Sequence, residues 1–387
     1  QGTTTLVSVT FEANSQLTSI GDSVFNGATS LTSITIPSAV TSIGDEAFRY
    51  SGLTSITIPE SVTSIGDKVF KSATSLTSVT FEANSQLTSI GDNAFNGASA
   101  LTSIDIPASV ESIGDQAFKN ATDLTSVTFA DNSELNSIGS KAFQGASVLT
   151  SITLPASLTS VYVNTFTNTH NLASIFVDEA NTTYHDIDGV LFNDTVLIVY
   201  PSNKTDTEYT VPSGTTKLGQ QSVFNTQNLD TITIPESVTS IADYTFVHYY
   251  DISGIQDIII HSENSYINLT ANIVLDASGS YWYKNVENYA HVNIRVTFKD
   301  PEETYITMID NQTYTIDISG SLVKESYVTQ ITGTRYIMDT TNSKSFDMRD
   351  ISSIEIGTNV TSIGDDAFYD SSQYISTTNL ISITIPN

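Results

Sequence analysis

The sequence contains no cysteine, which excludes disulfide bonds and thiol chemistry. Cations are also scarce: 14 Lys and Arg stand against 42 Asp and Glu, and the formal net charge is −28. Nucleic acids and anionic membrane surfaces are bound through patches of Lys and Arg, so this balance argues against both partners. No apolar run approaches the length of about 18 residues needed to span a bilayer, so membrane insertion is not expected either.

A single motif recurs along the chain, and residues 53–70 (LTSITIPESVTSIGDKVF) are a clear copy of it. Successive copies end in a phenylalanine, and these phenylalanines are 23, 22, 25, 23, 25 and 23 residues apart. They are Phe25, Phe48, Phe70, Phe95, Phe118, Phe143 and Phe166. A fixed period of about 20–30 residues predicts a solenoid, in which each coil buries its apolar side against its neighbours.

The pattern within one coil predicts its local structure. Residues 31–36 (LTSITI) carry apolar side chains at the first, fourth and sixth positions, which indicates a short strand with one buried face. Pro37 ends this strand, and residues 40–43 form a second one. Asp45 is placed to cap a short helical turn over residues 46–48. The predicted fold class is therefore a β-rich α/β solenoid, with parallel short strands and short helical turns in coils of 22–25 residues.

The pattern Leu-x-x-Ile-x-Ile-Pro-x-x-Val-x-x-Ile-Gly-x-x-Ala-Phe resembles the BspA-like (Treponema pallidum-type) leucine-rich repeat. The resemblance covers about residues 1–246 and 351–387. One departure is the third residue after each Phe, where that family often has Cys and this chain has Ala, Ser or Thr. The resemblance implies an extracellular or cell-surface protein, often an adhesin, of bacteria or of some protists.

The sequence divides into three regions according to where the repeat is present and where it is absent. Residues 1–246 are the leucine-rich-repeat solenoid, with a strand-pair insertion near 178–208 that is joined through Asn193 and Asp194. Residues 247–350 are a Tyr-rich, β-rich insertion or a set of degenerate repeats, and residues 351–387 return to the repeat. Neither end of the sequence has an obvious cap. This leaves open either a longer mature chain or end-to-end contacts between copies.

The acidic and histidine residues do not predict a metal site, a cofactor or a catalytic centre. One aspartate per coil should stack in a column, and we interpret these side chains as turn caps rather than calcium ligands. They are Asp22, Asp45, Asp67, Asp92 and Asp115. Asp186 and Asp188 precede Gly189 as in a calcium loop, but the loop's remaining ligands are missing. The five histidines show neither metal spacing nor a nucleophile partner, so the chain is not expected to be an enzyme.

Two groups of residues are candidates for binding a partner. The first is a column of threonines on the outward face of the first strand, and its alternative interpretation is a solvated sheet face. These residues are Thr35, Thr57, Thr80, Thr128 and Thr153, with Asp105 and Phe176 interrupting the column. The second group is aromatic, and its alternative interpretation is core packing of the region 247–350. These residues are Tyr281, Trp282, Tyr283 and Tyr289.

The sequence thus predicts a cell-surface protein that recognises or adheres to a protein or a glycan through a repeat scaffold. The alternative is a structural subunit of a surface layer or filament, assembled by end-to-end or lateral solenoid contacts.

Overall fold

The structure is a computed structural model that describes residues 4–162, 164–242, 245, 246 and 255, together with the backbone of the strands β21 to β28. Twenty-eight strands are assigned, and the described residues contain no helix. The chain divides into two compact units. One comprises Gln1–Lys204 and Gln221–Phe224, and the other comprises Thr205–Gln220 and Asn225–Asn387.

The first unit contains sixteen of the strands. They are β1 (Ser19–Ile20), β2 (Ser42–Ile43), β3 (Ser55–Ile58), β4 (Ser64–Ile65), β5 (Ser78–Phe81), β6 (Ser89–Ile90), β7 (Ser103–Ile106), β8 (Ser112–Ile113), β9 (Ser126–Phe129), β10 (Ser137–Ile138), β11 (Ser151–Leu154), β12 (Ser160–Val161), β13 (Ser174–Val177), β14 (Tyr184–Ile187), β15 (Val190–Asn193) and β16 (Val196–Val199).

Two kinds of parallel sheet run along this unit, and from β3 onward each regular coil contributes one strand to each. The two-residue strands form a seven-stranded sheet in the order β1-β2-β4-β6-β8-β10-β12. The four-residue strands form a sheet in the order β3-β5-β7-β9 and a separate pair, β11-β13. Strand β3 shows why these segments are strands: Ser55 and Thr57 are exposed, whereas Ile56 and Ile58 are buried. The first unit is a β-solenoid with parallel strands and coils of about 23 residues.

The segments predicted as helical turns have a different structure. Glu46 and Tyr50 have φ values of 55° and 55°, in the left-handed region, which a right-handed helical turn does not allow. Later turn segments repeat this pair of positive φ values four residues apart, as at Lys68 and Ser72. The N–H groups of residues 46, 48 and 50 donate to the carbonyls of residues 67, 69 and 71 at 2.8, 2.9 and 3.0 Å. The helical turns and the α/β class are therefore not confirmed.

The core of the first unit is a continuous stack of phenylalanine rings. The rings of Phe25, Phe48, Phe70, Phe95, Phe118, Phe143 and Phe166 follow one another with centroids 5.1–5.7 Å apart. The planes of neighbouring rings differ by 2–16°. The alanines three positions after the Phe are also fully buried; they are Ala28, Ala73, Ala98, Ala121 and Ala146.

Strands β14, β15 and β16 form the predicted insertion, and it has one more strand than expected. β15 and β16 are antiparallel and joined through Asn193 and Asp194, as the sequence predicted. β14 pairs with β15 as well, through a tight turn at Asp188 and Gly189. The turn residues have φ values of 51° and 77°, which explains the Asp-Gly pair at this place.

The second unit contains the remaining strands. They are β17 (Glu208–Thr210), β18 (Lys217–Leu218), β19 (Thr231–Ile234), β20 (Ser240–Ile241), β21 (Asp257–His261), β22 (Arg295–Lys299), β23 (Tyr305–Met308), β24 (Thr315–Asp317), β25 (Tyr336–Asp339), β26 (Lys344–Asp347), β27 (Ser353–Glu355) and β28 (Ser382–Thr384). Strands β17, β19, β21 and β22 are parallel, and β22-β23-β24 are antiparallel. β24, β27 and β28 are parallel again. The division at 247–350 stays a prediction.

Candidate functional site: the outward strand face

The outward surface of β3, β5, β7, β9, β11 and β13, here called the strand face, is the best-defined candidate for partner binding. Strand register places Thr57 beside Thr80, and Asp105 beside Thr128. In the separate pair, Thr153 lies beside Phe176. All five predicted threonines are exposed, although Thr35 lies outside the assigned strands. The register aligns the column within these three pairs of strands, whereas its role in binding stays a prediction.

Two neighbouring columns of threonine, which the sequence analysis did not single out, have a structural role instead. The Thr54 hydroxyl donates to the Thr32 carbonyl at 3.2 Å, and the Thr77 hydroxyl donates to the Thr54 carbonyl at 2.9 Å. On the seven-stranded sheet, the Thr63 hydroxyl donates to the Thr41 carbonyl at 3.2 Å. In the sequence, these threonines could have been found because they recur directly after a Leu or Val of the repeat in successive coils. These hydroxyls join adjacent coils, so their hydrogen is already donated within the protein.

By contrast, the hydroxyls of the strand face are mostly unused by the fold. Within the described part of the chain, the hydroxyls of Thr57, Thr80 and Thr153 form no hydrogen bond with the protein. The exception is Thr128, which donates to the Asp105 carboxylate in the neighbouring strand. An exposed row of donors and acceptors that the fold does not need is suited to contact a polar partner.

Among residues 4–162 the cations are confined to the turn segments, whereas carboxylates occur both there and along the strands. Exposed carboxylates lie within or just after the strands, as Asp105, Glu60 and Glu82 do. The Glu60 N–H also donates to the Glu82 carboxylate at 3.1 Å. Every Lys and Arg of residues 4–162 lies in a turn segment instead; they are Arg49, Lys68, Lys71, Lys119 and Lys141. The strand face therefore has no cation of its own; Asp105 is its one charged residue, and carboxylates such as Glu60 and Glu82 lie just after the strands.

The turn segments neutralise part of their charge locally. Arg49 Nη1 lies 3.0 Å from Glu46 Oε1, and Lys68 Nζ lies 3.6 Å from the same oxygen. The hydrogen bond from Arg49 lowers the pKa of the Glu46 carboxyl. Arg49 also lies over the Tyr50 ring, at 4.7 Å from its centroid. The charges of Arg49 and Lys68 are therefore paired within the turn segments.

The aspartate column caps the neighbouring coil rather than a helical turn in its own coil. Asp45 Oδ1 accepts the N–H of Asp67 at 2.8 Å, and Asp67 Oδ1 accepts the N–H of Asp92 at 2.8 Å. The column ends where Asp115 Oδ1 accepts the N–H of Ser140 at 2.7 Å. Each carboxylate therefore has a backbone partner one coil further along. Among the described residues, no three acidic or histidine side chains come close enough to hold a metal ion.

The second calcium candidate is also explained by backbone contacts. Asp186 accepts the N–H of Val177 through Oδ1 at 2.9 Å and the N–H of Gly189 through Oδ2 at 3.2 Å. This carboxylate closes the hairpin turn and attaches it to β13.

The described histidines lie apart from one another. His185 stacks on Phe192 with centroids 5.6 Å apart, and burial lowers the pKa of His170. The side chains of His248, His261 and His291 lie outside the described residues, as do Tyr281, Trp282, Tyr283 and Tyr289. The aromatic group therefore stays a prediction.

A small cavity in the first unit offers no room for an organic ligand. Its volume is about 20 Å³, which is enough for one water molecule. Phe166, Thr169, Leu172, Tyr200 and Ser202 are among the residues that line it. In the part of the chain that the structure describes, no helix is long and apolar enough to cross a membrane.

Comparison with known proteins identifies the repeat. The profile of the BspA type leucine rich repeat region matches in six copies, over residues 1–99, 88–205, 200–303 and 296–387. No curated protein matches the sequence.

Solved structures of bacterial proteins resemble the chain. The pneumococcal vaccine antigen PcpA is 25% identical over 97% of this chain and 91% of its own, with a TM-score of 0.56. A leucine rich cell surface protein from Faecalibacterium prausnitzii A2-165 is 24% identical over 96% of this chain and 89% of its own, with a TM-score of 0.49. The T. pallidum leucine rich repeat protein is 19% identical over 50% of this chain and 75% of its own, with a TM-score of 0.34.

Proposed function

Because the chain belongs to the BspA-type leucine-rich repeat family, we propose that it is a non-enzymatic, extracellular recognition scaffold at a cell surface. It adheres to a protein or glycan partner through the strand face. The observation that carries this proposal is the row of exposed hydroxyls, most of which form no hydrogen bond within the described residues, beside threonine columns whose hydroxyls join adjacent coils. The pneumococcal relative is named as a vaccine antigen, which is in line with a surface position.

The scaffold geometry supports recognition over a large area. Parallel coils place equivalent side chains about 4.8 Å apart, so one face presents many similar groups in a regular array. Contacts that are individually weak add up when a partner engages several coils at once. The acidic border disfavours nucleic acid and anionic membranes as partners, because both would be repelled.

The experiment that tests the proposal changes the strand face without changing the fold. Purified chain on beads is applied to immobilised extracellular proteins and polysaccharides, with wild type compared against the double variant Thr57→Lys/Thr80→Lys. The matched control is Asn93→Lys/Gln116→Lys, which adds the same charge in turn segments. The control is expected to fold, because Lys68 and Lys141 already occupy the equivalent position in other coils with φ values of 56° and 58°.

We expect the strand-face variant to lose adhesion and the turn-segment control to keep it. Equal adhesion by both variants would exclude the strand face. A third variant, Trp282→Ala, tests the aromatic group predicted from the sequence. If that variant alone loses adhesion, the recognition surface lies in the region 247–350 instead.

A further inference from the structure

Phe176 differs in polarity from the residues at the equivalent position of the other coils. The third residue of the four-residue strands points outward, and it is polar in every other regular coil: Thr57, Thr80, Asp105, Thr128 and Thr153. Phe176 is 46% exposed there, whereas Phe48, Phe70 and Phe95 of the ring stack are fully buried. The fold of one coil does not need an aromatic side chain at this place. Phe176 therefore calls for an explanation other than coil folding.

The insertion brings a second exposed apolar residue to the edge of the strand that carries Phe176. The tip of the β14–β15 hairpin lies along the free edge of β13, since the Ile175 N–H donates to the Gly189 carbonyl at 2.8 Å. Val177 is held to Asp186 on the same edge. Ile187 lies in this tip and is 37% exposed. We call Phe176, Ile187 and the adjoining Thr153 the tip patch.

Carboxylates border the tip patch, and cations are absent from its surroundings in the sequence. Asp178, Glu179 and Asp188 are exposed close to Phe176 and Ile187 along the chain. Residues 142–203 contain no Lys or Arg at all. The outward residues of the preceding strands are hydroxyls and Asp105. An apolar centre with an acidic rim complements a partner that carries positive charge around an apolar group.

From this arrangement we infer that the tip patch binds a basic polypeptide segment that presents an apolar or aromatic side chain. The apolar side chain packs on Phe176 and Ile187, and flanking Lys or Arg side chains pair with the rim or lie over the Phe176 ring. A neutral glycan carries no positive charge that could pair with the carboxylates, and an anionic glycan or membrane would be repelled. This inference rests on the proposed function and names the class of partner and its anchor.

The test uses the full chain and three synthetic peptides. The first is Lys-rich with a central Phe, the second replaces its Lys with Glu, and the third replaces its Phe with Ser. The variant Phe176→Thr restores the residue of the neighbouring coils, so it is expected to keep the melting temperature of wild type. The control variant is Tyr50→Asn, which removes another exposed aromatic side chain where Asn120 and Asn168 occupy the equivalent positions.

We expect the Lys-rich peptide with Phe to bind most tightly, and Phe176→Thr to weaken that binding by about tenfold or more. Tyr50→Asn should leave it unchanged. The inference is overturned if both variants bind alike, if the Glu-rich peptide binds as tightly, or if replacing the peptide's Phe has no effect. It is also overturned if Phe176→Thr lowers the melting temperature without changing affinity, since Phe176 would then only hold the hairpin.

A neutral dextran tested alongside separates the other class of partner. Binding to dextran that Phe176→Thr abolishes, without binding to any peptide, would overturn the inference in favour of a glycan. Loss of adhesion in Thr57→Lys/Thr80→Lys would still support the proposed function in that case. The experiments can therefore contradict the inference about the tip patch without contradicting the proposed function.

Discussion

At the scale of single residues, the buried phenylalanine of each coil makes contacts that no other position makes. Phe95 lies between Phe70 and Phe118, with ring centroids 5.1 and 5.2 Å away, and none of its surface is exposed. Its neighbours on both sides are fixed by the same stack. Truncation would leave a cavity that the two flanking coils cannot close without breaking their own hydrogen bonds.

We expect Phe95→Ala to lower the free energy of unfolding by about 3–5 kcal/mol, as for other buried aromatic truncations. Denaturant unfolding of the purified chain measures it. Thr57→Ala is the control, because this exposed side chain forms no hydrogen bond within the described residues and should change the free energy by less than about 0.5 kcal/mol. A change below about 1 kcal/mol for Phe95→Ala would contradict the stacked core.

The aspartate column offers a second test at this scale. Asp67 Oδ1 accepts the Asp92 N–H at 2.8 Å, so Asp67→Ala should cost about 1–2 kcal/mol by leaving that donor without its carboxylate. Asp67→Asn keeps an acceptor at the same place and should cost less. Thermal and chemical unfolding of the two variants decides this, and equal losses would mean that the charge, not the hydrogen bond, is what matters.

At the scale of the element, the strands were predictable from the sequence and the turn segments were not. Alternation of Ser, Ile, Thr and Ile encodes a strand locally, and the fixed period aligns the strands between coils. The segment after Asp45 reads locally as a capped helical turn. Its real conformation depends on positive φ at Glu46 and on hydrogen bonds to the next coil, which a single copy of the repeat does not reveal.

The same reasoning applies to the candidate site. The Thr57–Thr80 alignment followed from the period alone. The structural role of Thr54 did not, because its acceptor belongs to another coil. Phe176 was recognised as an interruption, but its exposure next to the hairpin tip required the structure.

Substituting the glycine that precedes an aspartate of the column tests how closely adjacent coils approach at the turn. A Cβ built on Gly91 would lie 2.6 Å from the backbone carbonyl carbon and oxygen of Gly66, and backbone atoms there cannot move aside cheaply. We expect Gly91→Ala to destabilise the chain by about 1–3 kcal/mol through overpacking. Gly21→Ala is the matched control, since the nearest atom to its Cβ is Val24 Cγ2 at 3.7 Å. Equal melting temperatures for the two variants would contradict the described coil spacing.

At the scale of the whole molecule, the net charge of −28 dominates the electrostatics. Within residues 4–162, the two ion pairs both involve Glu46, so local pairing offsets little of the charge there. Mutual repulsion of the remaining carboxylates opposes the compact state, and dissolved ions screen it over about 8–10 Å at physiological salt. The stability of the chain should therefore respond to ionic strength in general more than to any particular ion.

Comparing a NaCl series with a CaCl₂ series distinguishes general charge screening from specific metal binding. We expect the melting temperature to rise as NaCl is added from low ionic strength, and CaCl₂ at matched ionic strength to add little beyond that rise. Chelation with EDTA at constant ionic strength should leave the melting temperature unchanged, because the Asp45 and Asp67 carboxylates are engaged with backbone N–H groups of the next coil. Differential scanning calorimetry across the two salt series measures both effects. A sharp rise in melting temperature at low Ca²⁺ that EDTA reverses would instead show a calcium site.

Light scattering in the same series tests the filament alternative, which requires copies of the chain to assemble. A mass that grows with Ca²⁺ would support that alternative, and a constant mass would exclude it under these conditions.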